Sequence, residues 1–404
     1  MSQPPPSSMP KLGPEGQAAS GTPIPDTASV PSVAAAPVLP TSTLFTWHGS
    51  PWALTGACLI NAILMVLTVG IYGFWGRTEI RRRMWSSVRL NGEPLAYHGT
   101  PLELLKGFFA VMLVVLVPLF LLGMVVVVFF GQASAVFGVY QIALFLGIYP
   151  VLAAIAFYRA RRYRLSRTSW RGVRGSIDGS STSYGFLSWA TAWAYPFTLG
   201  WIAPYRAVTL QRKLVADTQL GDRRLQFNGS SSSLYGPFAL LWFGTVVLYF
   251  AVFGVFGWVA GAKVTPQNPM WWTRLSAKDW AEIVAVVMVA IVLWSIMSSF
   301  YYARLYNLVA RSTSMTPSRT GDPPLSFQLD VRGMKLIWLF VTNSLLTYLS
   351  VYILRPVATA RSMKYFVEHL QVVGPFDPAS IGQNRSILDQ SGEGLGQAFD
   401  LDAF

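Results

Sequence analysis

Seven uncharged apolar runs, each about 19–28 residues long, alternate with loops that are mostly rich in arginine. The runs lie at residues 52–76, 108–131, 135–158, 184–205, 235–262, 283–303 and 336–354, and none contains Asp, Glu, Lys, Arg or His. A bilayer core of about 30 Å takes about 20 apolar residues of helix, so each run is long enough to span. Charged residues make up only 12% of the chain and hydrophobic ones 52%. Soluble domains carry about 25% charged residues, and a soluble core cannot hide this much apolar surface. The chain therefore reads as an integral membrane protein.

The termini differ from this pattern. Residues 1–40 are rich in Pro, Ala and Ser and are predicted to form a disordered tail. They lack a basic stretch followed by an apolar core, so no cleaved signal peptide is expected. Residues 374–404 read as an acidic flexible tail, with Asp377, Asp389, Glu393, Asp400 and Asp402 against Arg385. The single cysteine, Cys58, excludes an intrachain disulfide and a cysteine zinc site.

The net charge of +13 sits in the loops. Arg77, Arg81, Arg82, Arg83 and Arg89 follow the first run, and seven arginines between Arg159 and Arg174 follow the third. Arg206, Arg212, Lys213, Arg223 and Arg224 follow the fourth, and Arg304, Arg311, Arg319, Arg332 and Lys335 surround the loop after the sixth. Residues 132–134 are uncharged, and residues 263–282 are balanced and carry Trp271, Trp272 and Trp280. Cytoplasmic loops are enriched in Lys and Arg. Seven simple crossings would put the basic loops at 206–234 and 304–335 opposite those at 77–101 and 159–183. If the first, fourth and seventh runs instead dip in and return, every basic loop lies in the cytoplasm. The charge pattern thus predicts four full transmembrane helices, three re-entrant segments and both termini cytoplasmic.

A loop motif recurs. Trp47-His48-Gly49-Ser50, Tyr97-His98-Gly99-Thr100, Ile177-Asp178-Gly179-Ser180 and Phe227-Asn228-Gly229-Ser230 share the order large apolar, polar, Gly, hydroxyl. Each follows a short alternating stretch, which reads as a strand. Strands are predicted near residues 44–48, 94–98, 174–178, 224–228 and, in a degenerate copy, 325–329, together forming a small cytoplasmic β layer. Ser50-Pro51 and Thr100-Pro101 place a helix cap before a proline at the first helical position, and Glu103 is expected to close a capping box with Thr100. Aligned at a spacing of about 130 residues, Thr68-Val69-Gly70 matches Thr198-Leu199-Gly200 and Arg82 matches Arg212. Asn343, Ser350 and Lys364 match Asn61, Thr68 and Arg82. The fold class is a mainly α membrane protein with an internal parallel repeat: residues 41–180, 181–324 and a partial copy at 325–373. The last copy has Tyr352 in place of the glycine, so a turn that needs glycine is lost there.

The string Thr-Val-Gly-Ile-Tyr-Gly-Phe-Trp-Gly-Arg (68–77), the Arg81–Arg83 cluster, residues 90–100 and Ser-Arg-Thr-Ser-Trp-Arg-Gly-Val-Arg (166–174) together resemble the YjgN-like family of bacterial inner-membrane proteins. The resemblance covers roughly residues 41–373. It implies an inner-membrane location and supplies no activity.

Catalysis is not expected. His48, His98 and His369 are scattered without metal-ligand spacing, and neither a phosphate loop nor a dinucleotide fingerprint is present. No cofactor or metal is predicted. Two function classes remain. The first is a transporter or channel for a small solute, its path lined by Asn61, Thr68, Gly70, Thr198, Gly200, Pro204 and Asn343. The second is a non-transporting membrane scaffold or lipid-organising protein with a basic cytoplasmic face. In either, Arg81, Arg82, Arg83, Arg161, Arg162, Arg164, Arg212 and Lys213 are candidates for contacts with anionic lipid headgroups. Nucleic acid is not an expected partner, because the charge is spread over loops beside a membrane.

Overall fold

A computed structural model describes residues 41–261, 275–317 and 323–382. The predicted N-terminal tail, the connection bearing Trp271 and Trp272, and residues 383–404 lie outside the described residues. Strands β1 (Thr41–Ser42) and β2 (Phe45–Trp47) precede two short helices, α1 (Thr55–Leu67) and α2 (Gly73–Ser87). Strands β3 (Val88–Leu90), β4 (Glu93–Pro94) and β5 (Ala96–Tyr97) lead to the long helices α3 (Pro101–Phe130) and α4 (Ala135–Ser166). Next come β6 (Thr168–Trp170), β7 (Val173–Ile177) and the short pair α5 (Ser181–Phe197) and α6 (Ala203–Ala216). Strands β8 (Thr218–Leu220) and β9 (Arg223–Phe227) open onto the long pair α7 (Ser232–Gly261) and α8 (Ala277–Arg311). Finally come β10 (Thr313–Met315), β11 (Leu325–Leu329), the short pair α9 (Gly333–Leu349) and α10 (Arg355–His369), and β12 (Leu370–Val373).

Helices α3, α4, α7 and α8 are long and apolar enough to cross a membrane, at 30, 32, 30 and 35 residues. At 1.5 Å per residue each exceeds a bilayer core of about 30 Å. The short helices do not. Helix α1 has 13 residues, and α5 and α9 have 17 each, a rise of about 20–25 Å. Each short pair folds back on itself. Asn343 Nδ2 donates to the Ala358 carbonyl at 3.0 Å, and Arg206 Nη2 to Ser188 Oγ at 2.8 Å. Along a continuous helix those residues would stand roughly 22–27 Å apart.

The strands explain why the helices come in pairs. Strands β2 and β3 pair antiparallel, as do β5 and β6, β7 and β8, β9 and β10, and β11 and β12. Each pairing joins the strand that enters a helical excursion to the strand that leaves it. All five excursions therefore depart from and return to strands. The predicted segments near 174–178, 224–228 and 325–329 do meet in one sheet, ordered β1-β12-β11-β10-β9-β8-β7-β6-β5, while β2-β3-β4 form a second. The 44–48 segment joins the second sheet, and the 94–98 segment divides between the two.

The two sheets share chain at both ends. Strands β1 and β2 are two residues apart, and only Leu95 separates β4 from β5. Among the described residues the twelve strands thus make a circuit of two sheets joined by chain at both ends. Leu44 and Phe45 pack against two apolar clusters within it, one around Leu90, Trp170 and Ile381, the other around Met315, Leu325 and Val372. Phe376 joins both, its ring 5.8 Å from that of Trp170. The Gly382 N–H also donates to Asp222 at 3.2 Å. The packed fold therefore runs to residue 382, past the tail boundary expected at 374, because Phe376 and Ile381 fill the strand circuit.

Trp170 is 2% exposed, and its indole N–H donates to the Leu90 carbonyl at 2.9 Å. Trp170→Ala should cost about 3–5 kcal/mol, read as a lowered denaturation midpoint in detergent. A loss below about 1 kcal/mol, as at an ordinary surface site, would mean that the circuit is not packed as described.

Candidate functional site

The three short hairpins turn at apices with one hydrogen-bond pattern. At the first, the Thr68 hydroxyl donates to the Leu64 carbonyl at 2.7 Å and accepts from the Tyr72 N–H at 2.9 Å. At the second, Thr198 donates to Ala194 at 2.7 Å and accepts from the Ile202 N–H at 3.3 Å. At the third, Ser350 donates to Thr347 at 3.2 Å and accepts from the Leu354 N–H at 3.0 Å. The amides of Gly70, Gly200 and Tyr352 donate to Met65, Tyr195 and Thr347 at 2.7, 2.8 and 2.8 Å. The break in each helix is thus bridged by its own apex.

Apex conformation and apex chemistry pull in opposite directions. Val69, Leu199 and Val351 sit at φ of 51°, 49° and 49°. For a residue with a Cβ that region costs about 1–3 kcal/mol, and β-branched residues are the rarest there. Yet these side chains are large, apolar and 92%, 72% and 79% exposed. Gly70 and Gly200 follow at 90° and 87°, and Tyr352 adopts 66° in the third copy. The turn expected to be lost without glycine is therefore kept, with the same hydrogen bond.

The recurrent loop motif forms a corner where each excursion begins. The backbone N–H groups of His48, His98, Asp178, Asn228 and Asp330 donate to the carbonyls of Ser87, Arg167, Asp217, Ser312 and His369, at 2.7, 2.8, 2.9, 2.9 and 3.4 Å. Each acceptor lies where the same excursion ends. Three basic side chains then brace the next corner. Arg82 Nη2 donates to the Gly99 carbonyl at 3.0 Å and Arg212 Nη2 to Gly229 at 2.8 Å, while Arg162 donates to Gly179. Asn307 does the same for the degenerate corner, donating to the Val331 carbonyl at 2.9 Å and accepting from its N–H at 3.0 Å. Glu103 departs from its expected capping-box role. Thr100 caps the Glu103 N–H, but the Glu103 carboxylate turns to the Tyr163 hydroxyl and to Arg167, at 3.0 Å from the latter.

Helices α2, α4 and α10 meet around a cavity of about 150 Å³ lined by Arg77, Arg81, Arg164 and Arg355 with Ile80, Met84, Trp85, Pro356 and Thr359. Arg77, Ile80, Arg81 and Met84 fall at i, i+3, i+4 and i+7, a single stripe of α2. Arg81 reaches the Tyr97 hydroxyl at 3.5 Å. Burial pushes that hydroxyl above its ordinary range, with Arg81 and Arg164 pulling it back, so Tyr97 stays a neutral phenol at physiological pH. A neighbouring cavity of about 250 Å³ holds Asn343, Ser344, Thr347 and Ser362 and shares Arg355 and Thr359 with the first.

The residues anticipated from sequence are dispersed among these features. Thr68 and Thr198 spend their hydroxyls on apex backbone, and Pro204 is fully buried at the start of α6. Asn61 donates to the Gly76 carbonyl at 3.5 Å, and Asn343 lines the larger cavity. Both asparagines bury a side-chain carbonyl oxygen that lacks a hydrogen-bond partner. Of the eight basic candidates, Arg81 and Arg164 line the arginine cavity. Arg82, Arg162 and Arg212 brace corners, Arg83 pairs with Glu79, Lys213 pairs with Asp217, and Arg161 lies near Tyr184. Arg77 and Arg355 were not among the candidates. The stripe on α2 was visible in the sequence, but its facing partner on α10, 278 residues after Arg77, was not.

Residues 42–398 match a family described as "Bacterial protein of unknown function (DUF898)". The chain belongs to this family. It is also 29% identical over 157 residues to the inner membrane protein YjgN of Salmonella typhimurium, covering 39% of this chain and 34% of that protein. The match thus spans about a third of the relative's own length. No solved structure matches. With four helices able to cross a bilayer and a YjgN-like family assignment, this family member is a membrane protein.

The corner brace has a measurable cost of removal. Arg212→Ala takes a charged donor from the Gly229 carbonyl and should destabilise this DUF898 protein by about 1.5–3 kcal/mol. Arg83→Ala breaks only an exposed pair and should stay within about 1 kcal/mol. Denaturation midpoints in one detergent compare the two, and equal effects would remove the brace from the account.

Proposed function

We propose that this protein is a multi-pass inner-membrane protein that organises lipid in the cytoplasmic leaflet. In this reading α3, α4, α7 and α8 cross the bilayer. The hairpins α1–α2, α5–α6 and α9–α10 enter one leaflet and return, and the strands and both termini are cytoplasmic. The apices carry the reading. In water, a left-handed apex favours Gly, Asn or Asp. Exposed Val69, Leu199 and Val351 in that strained backbone make physical sense in hydrocarbon, where an apolar side chain is favoured and a polar one is not. The internal pairing of the apex backbone supports the same reading, since an unpaired amide in lipid costs several kcal/mol. A solute path lined by the apices would instead favour polar side chains at those positions.

The repeated corners and apices further support an internal parallel repeat of about 130 residues with a partial third copy. Arginine-rich segments precede the strands that close the first four excursions, in keeping with positive charge on the cytoplasmic side. The role so read is structural, with anionic headgroups as partners rather than nucleic acid and without chemistry on a substrate.

Depth measurement tests the proposal. On a Cys58→Ser background, spin labels at 69, 199 and 351 in liposomes should be relaxed by oxygen and shielded from a water-soluble nickel complex. Strong relaxation by nickel at any apex would place water there and favour the transporter reading.

A further inference from the structure

Between the long helices α3 and α4 lies a groove of about 570 Å³, within the range of roughly 300–1,000 Å³ usual for small-molecule sites. It runs from Leu116 and Tyr149 to Gln132, and no charged side chain lines it. We propose that this groove binds one glycerophospholipid as a resident ligand, with an acyl chain along the helices and an ester carbonyl accepting from the Gln141 side-chain amide. The proposal rests on one part of the reading above, that α3 and α4 cross the bilayer.

Both helices leave α geometry at the inner end of the groove. Met112–Leu116 and Ala143–Ile148 are π-helical, and Pro118 and Pro150 follow within two residues. Single π turns inside α-helices often mark functional sites, and Leu116 and Leu144, one from each segment, line the groove. The surrounding contacts hold the walls in place. The Tyr140 hydroxyl donates to the Leu119 carbonyl at 2.5 Å, and a Cβ at Gly123 would come within 2.7 Å of that hydroxyl oxygen. Glycine at 123 thus lets Tyr140 tie α4 to α3 across one end of the gap. On its other side α4 is tied to α5, where the Trp189 indole N–H donates to the Leu146 carbonyl at 2.8 Å. Proline at 150 has no N–H with which to serve that carbonyl.

Polarity and depth select the ligand. Gln132 and Gln141 line the groove, and neither side chain makes a hydrogen bond among the described residues. A polar side chain without a partner is costly in hydrocarbon. Gln141 lies about 9 Å along α4 from its start at Ala135. Each headgroup layer is about 5–8 Å deep around a core of about 30 Å. With the connection at 131–134 at the surface, Gln141 stands just inside the hydrocarbon boundary, where the esters of a phospholipid join its chains. The amide offers two N–H donors, and an ester carbonyl offers only an acceptor. From Gln141 the groove continues about 12 Å along α4 to Tyr149, close to one leaflet's hydrocarbon depth of about 15 Å. Neutral donors and the lack of charge on the wall fit the neutral part of a lipid and make no demand on its headgroup. Phe120, Met124 and Val128 line the groove yet are 67%, 50% and 74% exposed, so it opens sideways to the surrounding bilayer and a chain can enter laterally.

Native mass spectrometry of the full-length protein released from detergent tests the site. Phosphatidylglycerol and phosphatidylethanolamine are each supplied as the diester and as the diether, which keeps headgroup and chains and lacks the carbonyls. The wild type should retain one diester lipid per chain, with either headgroup, about fivefold better than the diether, the worth of one hydrogen bond. Gln141→Leu, similar in size, should erase that preference. Val127→Trp, which fills the groove, should abolish retention of every lipid, and Val127→Phe replaces it if that variant does not fold. Val125→Trp, on the same helix but outside the groove, should match the wild type. Equal retention of diester and diether by the wild type overturns the proposal, as does undiminished retention in the groove-filling variant. A dimer that comes apart in the groove-filling variant, with no lipid retained, also overturns it and assigns the groove to a second copy of this chain. Retention in detergent is independent of hairpin depth, and apex spin labels do not report on the groove, so this site and the one-leaflet reading fail separately.

Discussion

Antiparallel pairing between the strand that enters a helical excursion and the strand that leaves it is the constraint on which the rest of the structure depends. Once β2 is bonded to β3, or β9 to β10, the intervening helices must return to where they started. An excursion can then hold two crossings or a hairpin that turns back, and it cannot hold a single crossing. Corner hydrogen bonds such as His98 N–H to Arg167 carbonyl tighten the same closure by one further residue. Arginines 82, 162 and 212 fasten each of the first three closed excursions to the next, and Asn307 fastens the fourth to the fifth. Much of the basic charge is therefore part of the framework, and less of it is free for partners than the count of arginines suggests.

The apices show what the closure demands of the helices. A hairpin shorter than the bilayer core must break its helix, and a broken helix must find partners for its freed backbone groups. Thr68, Thr198 and Ser350 supply a hydroxyl at the same point of each turn. The third copy reaches the same geometry through Tyr352 at positive φ, so hydrogen bonding determines the turn more than glycine does.

Sequence patterning exposed the four long helices, the distinct character of the three short segments and half of the strand positions, because hydropathy and charge act locally. It missed the two-residue β1, and it missed β3, β6, β8, β10 and β12, which start within two residues of a helix end and show no clear alternation. Asn91-Gly92 was a legible hairpin signal between β3 and β4, with both residues at positive φ. The strand circuit was not legible, since it joins Ser42 to Val372 across most of the chain. The arginine cavity was half legible: Arg81 and Arg164 stood out as charges, while the approach of α10 to α2 depends on tertiary packing around Cys58, Met84 and Val357. Glu103 shows the limit of motif reading, because a nearby tyrosine and arginine outcompeted the cap N–H for its carboxylate.

Closure by strand pairing should bring all five excursions back to one face of the membrane. Single cysteines at exposed strand positions 93, 226 and 371, each on a Cys58→Ser background, test it with a membrane-impermeant maleimide applied to intact spheroplasts and to inverted vesicles. All three should label in inverted vesicles and remain unlabelled in spheroplasts. Labelling of any one of them from the face opposite to the other two would contradict it.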